Sequence, residues 1–246
     1  MILGLIGGVG SGKSTVTKVL KEEYGFELLL TDDIAKQLEL PGGCCYEALV
    51  KAFGEGILQD GPGSRIDNPK LAARIYADAE ALKTVNGIVH PAVWRYVSDY
   101  IDEAEKCLKT ANPDESKFTK ISTDTADISL STAAEKERAG DICSNKGQKK
   151  KNVRIAVETA LPNDTFKKLC DEIWFIYTER EIRIKRLMSD RGYTRERSES
   201  IIAGQLADDV FNAAADVTVD NSGERAATEN AVRTRLKTVL QDSRDI

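Results

Sequence analysis

A short apolar run, Ile2-Leu3-Gly4-Leu5-Ile6, leads directly into Gly7-Gly8-Val9-Gly10-Ser11-Gly12-Lys13-Ser14, and no other junction in the chain constrains the fold as strongly. The glycine-rich stretch satisfies G-x-x-x-x-G-K-[ST], and Thr15 follows it. Beyond it, Val16, Val19, Leu20 and Tyr24 recur at helical spacing. Strand, glycine loop and helix in this order are the context in which the pattern cradles phosphate. Glycines let the backbone bend so that N–H groups converge on phosphate oxygens, and the helix N-terminus adds its positive dipole end. The cradle comprises Gly8, Val9, Gly10, Ser11, Gly12, Lys13, Ser14 and Thr15, with Lys13 bridging the β- and γ-phosphates and the Ser14 hydroxyl ligating Mg²⁺. A dinucleotide fingerprint is excluded, because Lys13 stands where its third glycine belongs. The spacing therefore predicts a chain that binds a nucleoside triphosphate with Mg²⁺.

Composition narrows the partners. The 246 residues carry 35 Lys plus Arg against 40 Asp plus Glu, a net charge of −5, and 41% are apolar. A general nucleic-acid binder would show a basic stripe, so none is expected. Cys44, Cys45, Cys107, Cys143 and Cys170 are odd in number and never spaced Cys-x-x-Cys, which indicates neither a disulfide framework nor a zinc site. The Cys44-Cys45 pair is read as small buried residues rather than a redox site. No apolar run approaches the roughly 18 residues of a membrane span. Met1 opens on the apolar run without a basic leader, so the expected location is cytoplasmic, with a small-molecule substrate and a monomer or weak homo-oligomer.

Along the chain, strands are expected over Phe26–Leu30, Val153–Val157, Glu172–Tyr177 and Val217–Val219. Helices are expected over 46–53, 68–77, 79–87, a run after Pro91, 164–170, the Arg-rich stretch from Arg180, and from about Arg225. Alternation of strand and helix implies a parallel sheet covered on both faces. The expectation is an α/β, three-layer P-loop NTPase fold: one kinase domain over 1–246. Within it lie a helical substrate-binding subdomain at 41–108, a polar surface insertion at 109–152 and an Arg-rich lid at 178–200. The insertion has few apolar residues and ends in Lys149-Lys150-Lys151, read as a solvated tether.

Switch GTPases need Asp-x-x-Gly and then Asn-Lys-x-Asp; Asn145-Lys146-Gly147-Gln148 lacks the final Asp. Phosphoryl transfer to a small molecule instead needs a base at the acceptor hydroxyl and cations around the transferring group. Asp32 and Asp33 follow the second strand, at the edge where open parallel sheets bind ligands. Either could supply the base; the alternative is a helix N-cap with a first-turn acid, a use that suits Asp33 while Asp32 does the chemistry. Arg186 and Arg191 are the cations read into a lid that closes over phosphates. Glu158 ends the third strand. His90 is read as a structural residue. On these grounds alone, three functions stay open: a kinase for a hydroxyl acceptor, a nucleoside-monophosphate kinase, or an ATP-binding regulator.

The ordered set of segments resembles the dephospho-coenzyme A kinase family. It comprises Gly4 to Thr15, Asp32-Asp33-Ile34-Ala35-Lys36, Ile88-Val89-His90-Pro91, Val157-Glu158-Thr159-Ala160-Leu161, Arg186-Leu187, Arg191-Gly192-Tyr193, Gln205 and Val219-Asp220-Asn221-Ser222-Gly223. The resemblance covers the chain except about 109–152. It implies ATP-dependent phosphorylation of the ribose 3′-hydroxyl of dephospho-coenzyme A, with Asp32 as the catalytic aspartate. It also implies Arg186 and Arg191 in the lid, Asn221 and Gly223 near the adenine, and the helices of 46–108 receiving the acceptor. Leu30 and Thr31 depart from the family's Asp-Ala before the aspartate. Leu161-Pro162-Asn163-Asp164 interrupts its apolar run, which leaves Glu158 rather than Asp164 as the candidate to order Mg²⁺ through water.

Overall fold

The computed structural model describes residues 1–110 and 153–242; Cys143, the Lys149–Lys151 run and nearly all of the expected insertion lie outside them. The chain divides into two compact units, Met1–Leu30 with Arg154–Ile246, and Thr31–Val153.

The first unit is built on five strands: β1 (Ile2–Ile6), β2 (Glu27–Leu30), β3 (Ile155–Thr159), β4 (Glu172–Tyr177) and β5 (Val217–Asp220). They form one sheet in the order β2-β3-β1-β4-β5, parallel at every pairing. Burial follows position in the sheet. Every residue of central β1 is buried, whereas edge strand β5 buries only Val219. A strand covered on both faces must be apolar throughout, which is why β1, β3 and β4 read as runs rather than alternations.

One face of the sheet packs on α1 (Lys13–Tyr24) and α10 (Arg225–Asp242), whose Val16, Val19, Leu20, Val232 and Leu236 meet Leu3, Leu5, Trp174 and Ile176. On the other face, α6 (Asp164–Leu169) brings Phe166 against Gly4, and α9 (Asp208–Ala214) stacks Phe211 on Phe175 at 5.4 Å between ring centroids. Layers of helix, sheet and helix result, as the strand and helix alternation predicts. Between β4 and α9 the chain forms α7 (Arg180–Arg191) and α8 (Arg195–Ala203). The Leu161–Asp164 interruption has a local purpose: Asn163 caps α6, its Oδ1 accepting from Phe166 N at 2.9 Å, and Asp164 lies exposed in the first turn.

The second unit holds α2 (Thr31–Leu38), α3 (Tyr46–Phe53), α4 (Asn68–Ala77) and α5 (Ala79–Thr110). It starts ten residues before the expected subdomain boundary at 41, because α2 packs along α5. Pro91 does not divide α5. Its missing N–H removes one hydrogen bond, while Val89, Val93, Val97 and Ile101 keep an unbroken buried stripe against which α2, α3 and α4 pack. Tertiary support overrides the local breaker. His90 lies half-buried on this helix.

The cysteines divide by exposure. Cys45 is buried and Cys44 exposed, so the expectation that both are buried holds for one of them. Burial pushes the Cys45 thiol well above its ordinary range. It raises Cys170 to about 12, helped by Asp171 and Asp216. With a folded value above the unfolded 9.0, the Cys170 thiol favours the folded state below pH 9, and that contribution is lost as pH rises toward 12. At pH 8, alkylation followed by peptide mapping should modify Cys44 first and leave Cys45 and Cys170 unmodified until the chain unfolds. Labelling of Cys45 ahead of Cys44 in the folded chain contradicts this assignment.

Candidate active site

The glycine loop follows β1, which lies between β3 and β4. The chain leaves β1 toward β2 on one side, and later returns from β3 to β4 on the other, so the loop sits where the strand order reverses. Pairing register brings Glu158 of β3 level with Leu5, one residue before β1 ends. Thr178 and Asn221 directly follow β4 and β5.

Helix α1 starts at Gly12 with φ 79° and ψ 31°, a left-handed conformation that only glycine adopts cheaply, and a Cβ there would meet Asn221 Nδ2 and Arg186 Nη1. No side chain caps this helix, and its first turn holds no acid. The positive end of the dipole is thus left without an internal anion.

Every carbonyl from Gly7 to Gly12 is held from within the unit. Lys13 Nζ donates to Gly7 O at 2.8 Å and Gly8 O at 3.3 Å. Arg183 Nε donates to Val9 O at 2.9 Å, and Arg186 Nη1 to Gly10 O at 3.4 Å. Ser11 O accepts from Thr178 Oγ1 at 2.9 Å and from Asn221 Nδ2 at 2.8 Å, while Gly12 O accepts from Thr15 N at 2.9 Å. In a trans peptide the C=O and the following N–H point opposite ways. Capturing the Val9 and Ser11 carbonyls therefore turns the N–H groups of Gly10 and Gly12 to the other side. That is the geometry of an anion-binding nest.

Lys13 Nζ also lies 3.6 Å from Glu158 Oε1, with both side chains mostly buried. Ser14 is exposed in the first turn of α1. Asp32 and Asp33 occupy the first turn of α2, in the second unit, directly after the end of β2. Asp33 pairs with Lys36 at 2.9 Å, which raises the Lys36 pKa, whereas Asp32 is exposed.

The arginines expected in a lid separate into three groups. Arg183 and Arg186 hold the loop. Arg195 pairs with Glu181 at 2.8 Å and Glu199 at 3.0 Å, and Arg197 lies over the Tyr193 ring at 4.2 Å. Arg191 is exposed at the C-terminal end of α7. Arg186 thus sits beneath the loop, its Nη2 donating to Asn221 O at 2.7 Å and its Nη1 to Thr178 Oγ1 at 3.3 Å. The Asn221 side chain, 3% exposed, is committed to Ser11 and to Thr228, whose hydroxyl donates to Asn221 Oδ1 at 2.9 Å. It braces the loop where the resemblance places it near an adenine. Gly223 is exposed.

Sequence reasoning passed over Arg183 and gave Thr178 no role. A signal for Arg183 was present: it stands four residues before Leu187 and beside Ile184, on the stripe that α7 buries.

A parallel sheet with a phosphate nest at its switch point, a lysine within the nest and an acid beside it defines the P-loop nucleotide-binding class. Comparison with known proteins agrees. The sequence pattern of the dephospho-CoA kinase family matches residues 1–138 and 144–227, and so runs into the polar segment that the resemblance left out. The chain is 30% identical over 233 residues to a dephospho-CoA kinase of Geobacter sulfurreducens, covering 94% of each chain. It is also 30% identical over 241 residues to one of Carboxydothermus hydrogenoformans, covering 98% of this chain and 93% of that one. In fold it is similar to a protein of Thermus thermophilus, with TM-score 0.64, 20% identity and 97% of each chain covered. It is similar too to a dephospho-CoA kinase from Campylobacter jejuni, with TM-score 0.59, 15% identity and 98% of each chain covered. The chain belongs to the dephospho-CoA kinase family.

Proposed function

We propose that the chain transfers the γ-phosphoryl group of ATP to the ribose 3′-hydroxyl of dephospho-coenzyme A, giving coenzyme A and ADP. The family match along nearly the whole chain carries this reading, and the carbonyl-held loop beside Lys13 and Glu158 supports it. The bond from the γ-phosphorus to the β,γ-bridging oxygen breaks as the 3′-oxygen bonds to phosphorus, and the hydroxyl proton passes to Asp32. Lys13 and the nest N–H groups neutralise charge on the phosphates, where preorganised donors contribute most. Arg186 and Asn221 act through the loop's shape, Gly223 lies in the loop after β5, and exposed Arg191 belongs to a lid that limits water.

The donors near Lys13, the Ser14 hydroxyl and the Glu158 carboxylate, fit a Mg²⁺ that would be held mainly by phosphates and water, with Ser14 as a direct ligand and Glu158 acting through water. Among the described residues no cluster of three His, Cys, Asp or Glu is present. When bound, the ion would neutralise charge on the transferring phosphate.

The test is ADP release from ATP and Mg²⁺ with dephospho-coenzyme A, set against nucleoside monophosphates and simple sugars. Turnover confined to dephospho-coenzyme A is the expected result. Turnover with a monophosphate and none with dephospho-coenzyme A would assign the site to another acceptor.

A further inference from the structure

The side chain of Arg183 is 5% exposed, and nothing in the chemistry above uses it. Its guanidinium closes a ring of hydrogen bonds around a single residue of the phosphate loop. Nε donates to Val9 O at 2.9 Å, Nη2 donates to Gln205 Oε1 at 2.7 Å, and the same Gln205 oxygen accepts from Val9 N at 2.9 Å. Val9 is therefore gripped at its N–H and its C=O by two side chains that also grip each other. Among the described residues the ion-pair partner of Arg183 is Asp208, at 3.5 Å and 43% exposed, a long and half-solvated contact that compensates the positive charge only in part. Gly8 completes the arrangement, since any Cβ there would run into the Arg183 guanidinium and Gln205 Oε1.

We infer that Arg183, with Gln205, is a positioning residue for triphosphate binding: it fixes the Val9 peptide groups so that the loop is preorganised, and it places a buried cation beneath that loop. Preorganisation matters because an unclamped glycine-rich loop would have to be ordered when the nucleotide binds, and that cost appears as lost affinity. Arginine is required by geometry. Its planar fork reaches the carbonyl and the amide oxygen at once, which the point charge of a lysine cannot do. The nearby cation favours a polyanion over a neutral ligand, and burial strengthens that preference. The effect should be confined to the nucleotide, because the hydrogen bonds of Arg183 run to the loop at Val9, to Gln205 between α8 and α9, and to Asp208 at the start of α9.

This inference rests on the reading that the loop binds ATP, and the experiment separates the two. Arg183→Gln, Arg183→Lys, Gly8→Ala and Lys13→Ala are compared in the full chain by steady-state kinetics with each substrate varied, and by calorimetric titration with ADP. Arg183→Gln is expected to raise KM for ATP and Kd for ADP by about 10- to 100-fold, the range for losing hydrogen bonds made by a charged donor. KM for dephospho-coenzyme A should stay within about 3-fold, as for a residue whose loss removes uniform binding of the other substrate. Arg183→Lys should recover part of the loss. Gly8→Ala, which displaces the guanidinium without altering it, should reproduce the nucleotide defect, and in the Arg183→Gln background it should add little. If Arg183→Gln fails to fold, Arg183→Lys and Gly8→Ala still report the same constants. Unchanged nucleotide constants in the folded variants, or equal rises in both KM values, overturn the inference. If Lys13→Ala leaves ATP use intact, the ATP reading itself fails; if Lys13→Ala abolishes it while the Arg183 and Gly8 variants behave as wild type, the inference alone fails.

Discussion

Asp32→Asn should lower kcat by about 10²- to 10⁴-fold, the range for loss of a general base, and leave KM for ATP nearly unchanged. Asp32 is exposed in the first turn of α2 and has no part in the hydrogen bonds that shape the loop. The amide is nearly isosteric, and Asp33 keeps its pair with Lys36, so α2 should persist. Loss of one first-turn charge costs a helix only about 0.3–1 kcal/mol. Thermal unfolding should therefore barely move while turnover collapses, a split that misfolding cannot produce. Near-normal kcat in the folded variant would assign the proton to another acceptor.

Lys13→Ala should reduce kcat/KM for ATP by about 10²- to 10³-fold or more, as when a preorganised charge-stabilising donor is removed. Three losses coincide in it. The cation leaves the phosphates, the Gly7 carbonyl loses its side-chain donor while Gly8 O keeps only Ser11 N, and Glu158 loses the ammonium 3.6 Å away. The last loss turns the carboxylate into a repulsive neighbour of any polyanion in the nest. Lys13→Ala/Glu158→Gln should accordingly recover a measurable part of the ADP affinity lost in Lys13→Ala, read by calorimetry. Equal affinities in the single and double variants would show that Glu158 carries no electrostatic influence there.

Local chemistry made much of this legible from sequence. The strand before the loop had to be apolar because it lies at the centre of the sheet, and Glu172–Tyr177 was recognisable for the same reason. Edges were less exact. Two strands begin one or two residues later than expected, at Glu27 and Ile155, and β3 runs on through Glu158 to Thr159. Pro91 was read as a break, since a proline's local cost is visible in sequence while the packing of three helices that outweighs it is not. The site divides in the same way. Lys13 and Ser14 are fixed by spacing within one loop. The residues that hold the loop come from 174, 196 and 210 positions away, at Arg183, Gln205 and Asn221, and no short-range period links them to it.

Arg186 and Asn221 illustrate the limit. Residue type and order marked both as functional, yet an arginine in a charged helix can serve a lid, a solvated face or a buried brace. Which one depends on the side of α7 that meets the loop. The helix buries Arg183, Ile184 and Leu187 and leaves Arg191 exposed, so position along one helix gives chemically identical side chains different work.

By itself, then, the sequence determined that a parallel α/β sheet would carry a glycine loop able to bind phosphate, and that an acid would follow the second strand. Backbone torsion preference and helical or strand period are written in neighbouring residues, so they survive without tertiary contacts. Tertiary structure alone decided how the loop is held. The Val9, Gly10 and Ser11 carbonyls needed donors in a buried setting, and those came from Arg183, Arg186, Thr178 and Asn221, which the sheet order β2-β3-β1-β4-β5 brings to the loop.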